Sequence, residues 1–131
     1  MPNNRRLLTV VCLTLISALP AGCGRRFEMA QVSGRVTLRG QPLPEGMVMF
    51  VPQAGLAAAG GIQPDGTYRL FTRKPFDGAV IGRHKVCVLK PFQPKAAGYP
   101  GFATKYSDAE TSGFEVDVQP GENRFDFDLA E

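Results

Sequence analysis

The stretch VSGRVTLR at residues 32–39 decides the fold, because small or apolar residues alternate with polar ones along its whole length. A period of two is typical of a strand with one buried and one exposed face. The same alternation recurs in YRLFTR at 68–73, in FEVDV at 114–118 and in FDFDL at 125–129. No segment after the N-terminal region has a convincing helical period. The sequence therefore predicts an all-β domain.

Turn residues separate these segments. Pro64-Asp65-Gly66 and Pro120-Gly121-Glu122-Asn123 combine a proline, which fixes φ, with a glycine, which supplies positive φ. Pro42 and Pro44 prevent a continuous ladder after the first strand. Seven short segments, spaced roughly 8–14 residues apart, predict a single seven-stranded antiparallel β-sandwich.

The last two segments have the clearest register. Phe114 and Val116 alternate with acids, and so do Phe125 and Phe127 after the turn. We expect these apolar side chains to face the core together as the last hairpin of the domain, with Asp126 on the outer face.

The N-terminus has the three parts of a secretory signal: Arg5 and Arg6, an uncharged run at 7–19, and the sequence Leu19-Pro20-Ala21-Gly22-Cys23. The uncharged run is shorter than the roughly 20 residues that span a membrane and fits a signal peptide. Small residues before a cysteine resemble the lipobox of bacterial lipoproteins, although Pro20 stands where that family usually has leucine. The resemblance implies cleavage before Cys23 and diacylation of its sulfur. An ordinary cleaved signal with a chance cysteine is the alternative.

These features divide the chain into a lipoprotein signal peptide at 1–22, a tether at 23–30 and a β-sandwich domain at 31–131. We expect a cell-envelope protein, held through Cys23 in the outer or the cytoplasmic membrane, since two or more acyl chains anchor stably. The domain then contains one cysteine, Cys87, and cannot form an internal disulfide. We expect Cys87 to fill the core rather than to act as a nucleophile with His84.

Composition and charge exclude several classes of site. The 131 residues include one histidine and no tryptophan, which excludes a site of two or three histidines and a tryptophan sugar platform. Residues 24–95 contain 11 Lys/Arg and 4 Asp/Glu, whereas 96–131 contain 2 and 8. We expect the two parts to pair across strands, with an acidic binding patch as the alternative. The nearly neutral domain does not indicate a nucleic-acid partner.

The segment at residues 91–106 is too long for a simple turn. It contains three prolines and four aromatic residues, namely Phe92, Tyr99, Phe102 and Tyr106. Loops of this length are usually functional or folded back on the domain. The aromatic side chains either plug the open end of the sandwich or form a binding loop, in which case Tyr99 or Phe102 should be exposed and contact the partner.

The order of the motifs resembles the carboxypeptidase regulatory-like, or transthyretin-like, β-sandwich domain of small bacterial lipoproteins. The motifs are VSGRVT at 32–37, GQPLP at 40–44, MVMF at 47–50, DGTYRL at 65–70 and GRHKVCV at 82–88. Lys105-Tyr106 before the last two segments and Asn123 between them add to the resemblance. His84 stands where the family usually has an aromatic residue, and we expect it to face the core.

This resemblance implies a non-catalytic module that binds an envelope protein or glycan or has a structural role. The alternative is a ligand-binding or chaperone-like accessory subunit of an envelope enzyme, with the loop at 91–106 as its contact. We expect no catalytic residue, cofactor or metal, although Asp126 and Asp128 at i, i+2 leave calcium as a minor alternative. The sequence lacks a phosphate-cradling glycine loop and a Gly-x-Ser-x-Gly motif.

Overall fold

Strands make up nearly all of the regular secondary structure in the part of the chain that the structure describes. The structure, a computed structural model, describes residues 27–75 and 77–131. Its strands are β1 (Met29–Leu38), β2 (Gln41–Pro42), β3 (Met47–Pro52), β4 (Ala58–Gly61), β5 (Thr67–Arg69), β6 (Ala79–Val80), β7 (Gly82–Leu89), β8 (Phe114–Val118), β9 (Glu122–Arg124) and β10 (Phe127–Leu129). A 3-10 turn lies at Thr104–Ser107. Within the described ranges, no helix is long and apolar enough to cross a membrane. The prediction of an all-β domain is confirmed.

The first sheet is built around β1. Strands β2, β5 and β6 pair with it antiparallel, each over two or three residues. Strands β9 and β10 run parallel to it, so the C-terminal part of the chain lies beside the N-terminal strand. This parallel pairing differs from the expected all-antiparallel arrangement.

The second sheet has the order β4-β3-β7-β8 and is antiparallel throughout. The two sheets are joined at one edge, where Ala59 and Phe71 exchange two backbone hydrogen bonds of 3.0 and 2.9 Å. Strand β4 packs closely against β5 of the first sheet at this edge, and the residues of β4 must therefore be small. An added Cβ on Gly60 would lie 2.3 Å from the carbonyl oxygen of Arg69.

One hydrophobic core lies between the two sheets. Val32 and Val36 of β1 and Phe50 and Val86 of the second sheet are 0–1% exposed and belong to one cluster. The ring of Phe50 lies 6.1 Å from that of Phe127, which links the sheets at the centre. Burial of this kind stabilises the fold by about 25 cal/mol per Å² of apolar surface.

Buried and exposed residues alternate along the strands as the sequence predicts. Along β1 every second residue from Ala30 to Leu38 is buried, and the residues between are exposed or half-buried. Tyr68 and Leu70 are buried, whereas Arg69 and Phe71 face outward. Because the side-chain period of a strand is two, this alternation also fixes which side chains share the outer face.

The predicted last hairpin is wrong. Strand β8 pairs with β7 in the second sheet, and β9 and β10 pair with β1 in the first. The turn at 119–121 therefore crosses from one sheet to the other. Asn123 fixes this crossing, because its Oδ1 accepts a hydrogen bond from Gln119 N at 2.9 Å and its Nδ2 donates to the carbonyl oxygen of Gln31 at 3.1 Å. Phe127 still faces the core. Phe114, Val116 and Phe125 are half-buried and pack against this core.

Two further differences concern boundaries. Strand β1 begins at Met29, inside the tether predicted at 23–30. Strand β4 occupies part of the segment 54–61, which contains too few β-branched or aromatic residues to predict a strand. Its position follows from its two neighbours rather than from its own propensity.

Candidate functional site

Two arginines flank a serine on the outer face of the first sheet. Ser33 of β1 is in register with Arg69 of β5 on one side and with Arg124 of β9 on the other. Neighbouring strands lie about 4.8 Å apart, so the Cα atoms of the two arginines are about 10 Å apart across Ser33. Both arginines are exposed. The row therefore presents two guanidinium groups and a hydroxyl to the same space.

A groove of about 580 Å³ runs over this row. Arg35, two residues beyond Ser33 on the same face of β1, and Arg73, after β5, also line it. Among the described residues, its lining includes four arginines and no carboxylate. Phe71, which is 48% exposed, adds an aromatic surface beside the charges. We call this surface the arginine groove.

The floor of the arginine groove is held by close backbone packing. Gly34 has no side chain, and an added Cβ would lie 1.8 Å from the carbonyl oxygen of Phe125. The hydroxyl of Tyr68 donates a hydrogen bond to the same carbonyl at 2.6 Å. Burial, together with the negative charge of Asp126, raises the pKa of Tyr68 far above its usual value. This phenol therefore remains a neutral donor, and the strands that carry the arginines are fixed relative to one another.

Carboxylates lie at the margin of the groove rather than in it. Oδ1 of Asp126 accepts a hydrogen bond from Arg35 N at 2.8 Å and lies 3.4 Å from Nε of Arg124. Glu122 lines a second depression of about 410 Å³, which shares Ser33, Arg69 and Arg124 with the groove. The pair between Arg124 and Asp126 is exposed on both sides and therefore contributes little. Arg124 can turn to an incoming anion at small cost.

Elsewhere the basic and acidic parts of the chain pair as expected. Arg39 pairs with Glu131 at 2.8 Å and Lys85 with Glu110 at 2.6 Å, in each case joining residues 24–95 to residues 96–131. Nη1 of Arg83 lies 3.7 Å from Oε1 of Glu115, and this pair also joins the basic part of the chain to the acidic part. These pairs lie away from the arginine groove. They join three of the eleven basic residues at 24–95 to three of the eight acidic residues at 96–131.

The predicted binding loop is divided between core and surface. Phe102 and Tyr106 are only 4% and 7% exposed and belong to the core, and the ring of Tyr106 stacks on Phe114 at 5.4 Å. Tyr99 is half-buried, and Phe92 is 98% exposed. A binding loop requires Tyr99 or Phe102 to be exposed; Phe102 is buried, because the 3-10 turn at Thr104–Ser107 folds this part of the loop against the sandwich, and Tyr99 is half-buried.

Glu45 holds the loop at residues 91–106 in place. Its carboxylate accepts hydrogen bonds from Lys95 N at 2.8 and 3.1 Å, and its carbonyl oxygen accepts one from the hydroxyl of Tyr99 at 3.0 Å. Burial and the nearby Glu45 raise the pKa of Tyr99 to about 12. Phe102 and Tyr106 thus pack into the core, and Phe92 alone among the four aromatic residues stands fully in solvent.

The lone histidine and Cys87 are core residues. His84 is 1% exposed, its Nε2 donates to the carbonyl oxygen of Val80 at 2.6 Å, and its Nδ1 has no hydrogen-bond partner in the described structure. Burial lowers the pKa of His84 and raises that of the Cys87 thiol. Both groups are therefore neutral and inaccessible at neutral pH. Across residues 27–75 and 77–131, no three His, Cys, Asp or Glu side chains come together as a metal site would require.

Cys23, the predicted lipid-attachment residue, lies outside the described residues, as does the predicted signal peptide.

The chain matches no known family model, and neither a curated protein nor a solved structure is significantly similar to it. The candidate site therefore depends on the geometry of the arginine groove.

Sequence reasoning assigned the face of the groove residues but not their proximity. The alternation placed Arg35 and Ser33 on one face of β1 and Arg69 on the outer face of its own strand. Arg124 joins them through the parallel pairing of β9 with β1, and no local pattern specifies that pairing. The excess of basic residues at 24–95 is the feature of the sequence that could have indicated a cationic surface.

Proposed function

We propose that this protein is a lipid-anchored, non-catalytic binding module of the cell envelope, and that the arginine groove binds an anionic ligand. The row formed by Arg69, Ser33 and Arg124 carries the proposal. Arginine presents paired N–H donors that match carboxylate and phosphate oxygens, and such charge-assisted bonds are about twice as strong as neutral ones. Several arginines in one row fit a ligand with repeated negative groups.

The proposed domain type is the carboxypeptidase regulatory-like, or transthyretin-like, seven-stranded sandwich. It is supported by two sheets around one core and by the motif order in the sequence. If the two-residue β2 and β6 are set aside and β9 and β10 are taken as one interrupted strand, seven principal strands remain. The parallel pairing of the C-terminal strand with β1 is the feature that departs from an all-antiparallel sandwich.

The ligand is a polymer with carboxylate or phosphate groups rather than a single small anion. The groove is open and long enough to continue into the second depression through Ser33, Arg69 and Arg124. Phe71 offers a flat apolar surface to the uncharged part of such a ligand. An acidic glycan combines both features, and an acidic peptide is the alternative that the binding experiment separates.

Anchoring is tested with Cys23→Ser in the full chain. Acylation at Cys23 predicts that the native protein partitions into the detergent phase and that its N-terminal fragment carries the mass of the lipid. The variant should stay in the aqueous phase. A native protein with an unmodified Cys23, or with cleavage at another position, contradicts the lipoprotein part of the proposal.

Ligand binding is tested by titrating the protein with polygalacturonate and with oligoglutamate, and with neutral dextran as the control polymer. Arg69→Gln and Arg124→Gln should each weaken binding of the preferred polyanion by more than about tenfold, since a charged hydrogen bond contributes about 1.5–3 kcal/mol. Affinity should also fall steeply with salt.

Arg83→Gln is the matched control for this titration. Arg83 is an exposed arginine on the second sheet, away from the groove, and its pairing with Glu115 is long. Tighter binding of oligoglutamate than of polygalacturonate would identify a peptide ligand. Equal loss of affinity in Arg83→Gln and Arg69→Gln would show non-specific charge attraction, and the arginine groove would then not be the site.

A further inference from the structure

A second surface, next to the start of the described chain, is apolar with a basic rim. Phe27 and Leu56 are 40% and 47% exposed and line a groove of about 470 Å³ together with Val80. Arg73, Lys74 and Asp77 also line this groove. We call Phe27, Leu56, Val80, Arg73 and Lys74 the basal patch. Large apolar side chains exposed side by side on a small domain usually mark an interaction surface.

The conformation of the basal patch is fixed by local contacts. Gly55 has a φ of +104°, and an added Cβ there would lie 3.4 Å from the ring of Phe27. The backbone at Gly55 therefore lies beside the ring of Phe27. On the basic side, the carboxylate of Asp77 accepts hydrogen bonds from the backbone N–H groups of Thr72, Arg73 and Lys74 at 2.6, 2.9 and 3.0 Å. The two cationic side chains therefore start from a defined turn.

The basal patch lies close to the proposed lipid. Phe27 follows Cys23 by four residues, and an extended chain spans at most about 3.6 Å per residue. The Cα atom of the acylated cysteine can therefore be no more than about 15 Å from the Cα atom of Phe27. Arg25 and Arg26, the residues just before Phe27, add two positive charges to this link.

We propose that the basal patch rests on the surface of an anionic lipid bilayer, with Phe27 and Leu56 in the headgroup region and Arg73 and Lys74 on lipid phosphates. This inference depends on the anchor in the proposed function and adds the orientation of the domain to it. Apolar side chains next to Lys and Arg are the composition that binds at membrane interfaces. A basic residue near an anionic surface favours the bound state by a factor of about five.

The test introduces a fluorescent reporter into the full, lipidated chain. Leu56→Trp places the only tryptophan in the basal patch, and Val51→Trp places it at a comparably exposed apolar position (37%) on the second sheet. Each protein is reconstituted on vesicles of phosphatidylcholine mixed with phosphatidylglycerol, in which part of the phosphatidylcholine is brominated and quenches nearby tryptophan. We expect strong quenching of Leu56→Trp and little of Val51→Trp.

The basic rim is tested in the same system. Arg73→Gln or Lys74→Gln, combined with Leu56→Trp, should lower the ratio of apposed to detached domain about fivefold on vesicles with phosphatidylglycerol. The two substitutions should have little effect on vesicles of phosphatidylcholine alone. An equal effect on both kinds of vesicle would refute the proposed contact with anionic headgroups.

Flotation of the vesicles separates failure of the anchor from failure of the orientation. If the protein does not float with the vesicles, both the lipid anchor and the inference about the basal patch are overturned. If it floats and the Leu56→Trp emission is not quenched, the anchor stands and the orientation is wrong. A blue-shifted but unquenched tryptophan would assign the patch to a protein contact, such as a second copy of the chain, and would likewise overturn the inference.

Discussion

Truncation of Phe127 to alanine tests the register of the C-terminal strand against β1. The side chain is 6% exposed, and its ring lies 4.9 Å from Phe114, 6.1 Å from Phe50 and 6.3 Å from Tyr68. Removal of a buried phenylalanine costs about 3–5 kcal/mol, because the lost contacts leave a cavity that the surroundings close only in part. Since rings from both sheets surround this site, we expect the full cost. Urea denaturation followed by far-UV circular dichroism measures it as a lower midpoint with an unchanged slope.

The matched control is Phe92→Ala, which removes the same atoms at a site that is 98% exposed. It should change the free energy of unfolding by less than about 0.5 kcal/mol. If Phe127→Ala does not fold, Phe127→Leu gives a measurable loss of about 1–2 kcal/mol. Equal midpoints for Phe127→Ala and Phe92→Ala would show that Phe127 does not face the core, since a shift of one residue exchanges the two faces of a strand.

Three further predictions concern the core. Burial lowers the pKa of His84, so the histidine of the unfolded chain is protonated first as the pH falls below about 6.5. The free energy of unfolding should therefore drop by up to about 1.4 kcal/mol per pH unit below that pH. His84→Phe should reduce this pH dependence, as measured by urea midpoints at several pH values. Gly34→Ala should cost more than about 3 kcal/mol or prevent folding, because its Cβ would collide with Phe125; Gly61→Ala, with open space around it, should leave the thermal midpoint nearly unchanged. Phe102→Ala should destabilise by about 3–5 kcal/mol while the affinity for polyanions stays the same.

The sequence predicts the facing of the long strands well, because a period of two translates directly into buried and exposed sides. The residues of β1 and those around Tyr68 follow it throughout. The same reasoning fails for β4, where alanine and glycine carry no strand signal. Those residues are small because the two sheets meet there, as the close approach of Gly60 to the backbone of Arg69 demonstrates. A packing requirement of this kind depends on the neighbouring strand and is invisible in a local window.

The candidate site could be predicted only in part for a related reason. Alternation specifies that Arg35 and Arg69 face outward, but it does not specify which strands are neighbours. The expected hairpin would have put Arg124 beside β8 in the second sheet. The parallel pairing with β1 puts it beside Ser33 instead. Long-range pairing therefore creates the arginine groove from residues whose individual exposure was already evident.

The arginine groove and the basal patch share Arg73, and this shared residue relates the two proposed surfaces. Arg73 lines both the groove and the patch, whereas Arg69 and Arg124 line the groove and the second depression but not the patch. With the basal patch on the bilayer, the part of the groove lined by Arg73 would lie near the headgroups. Headgroup phosphates would then compete for Arg73 but not for the row around Ser33. The binding experiment therefore uses Arg69 and Arg124, which line the groove and do not line the basal patch.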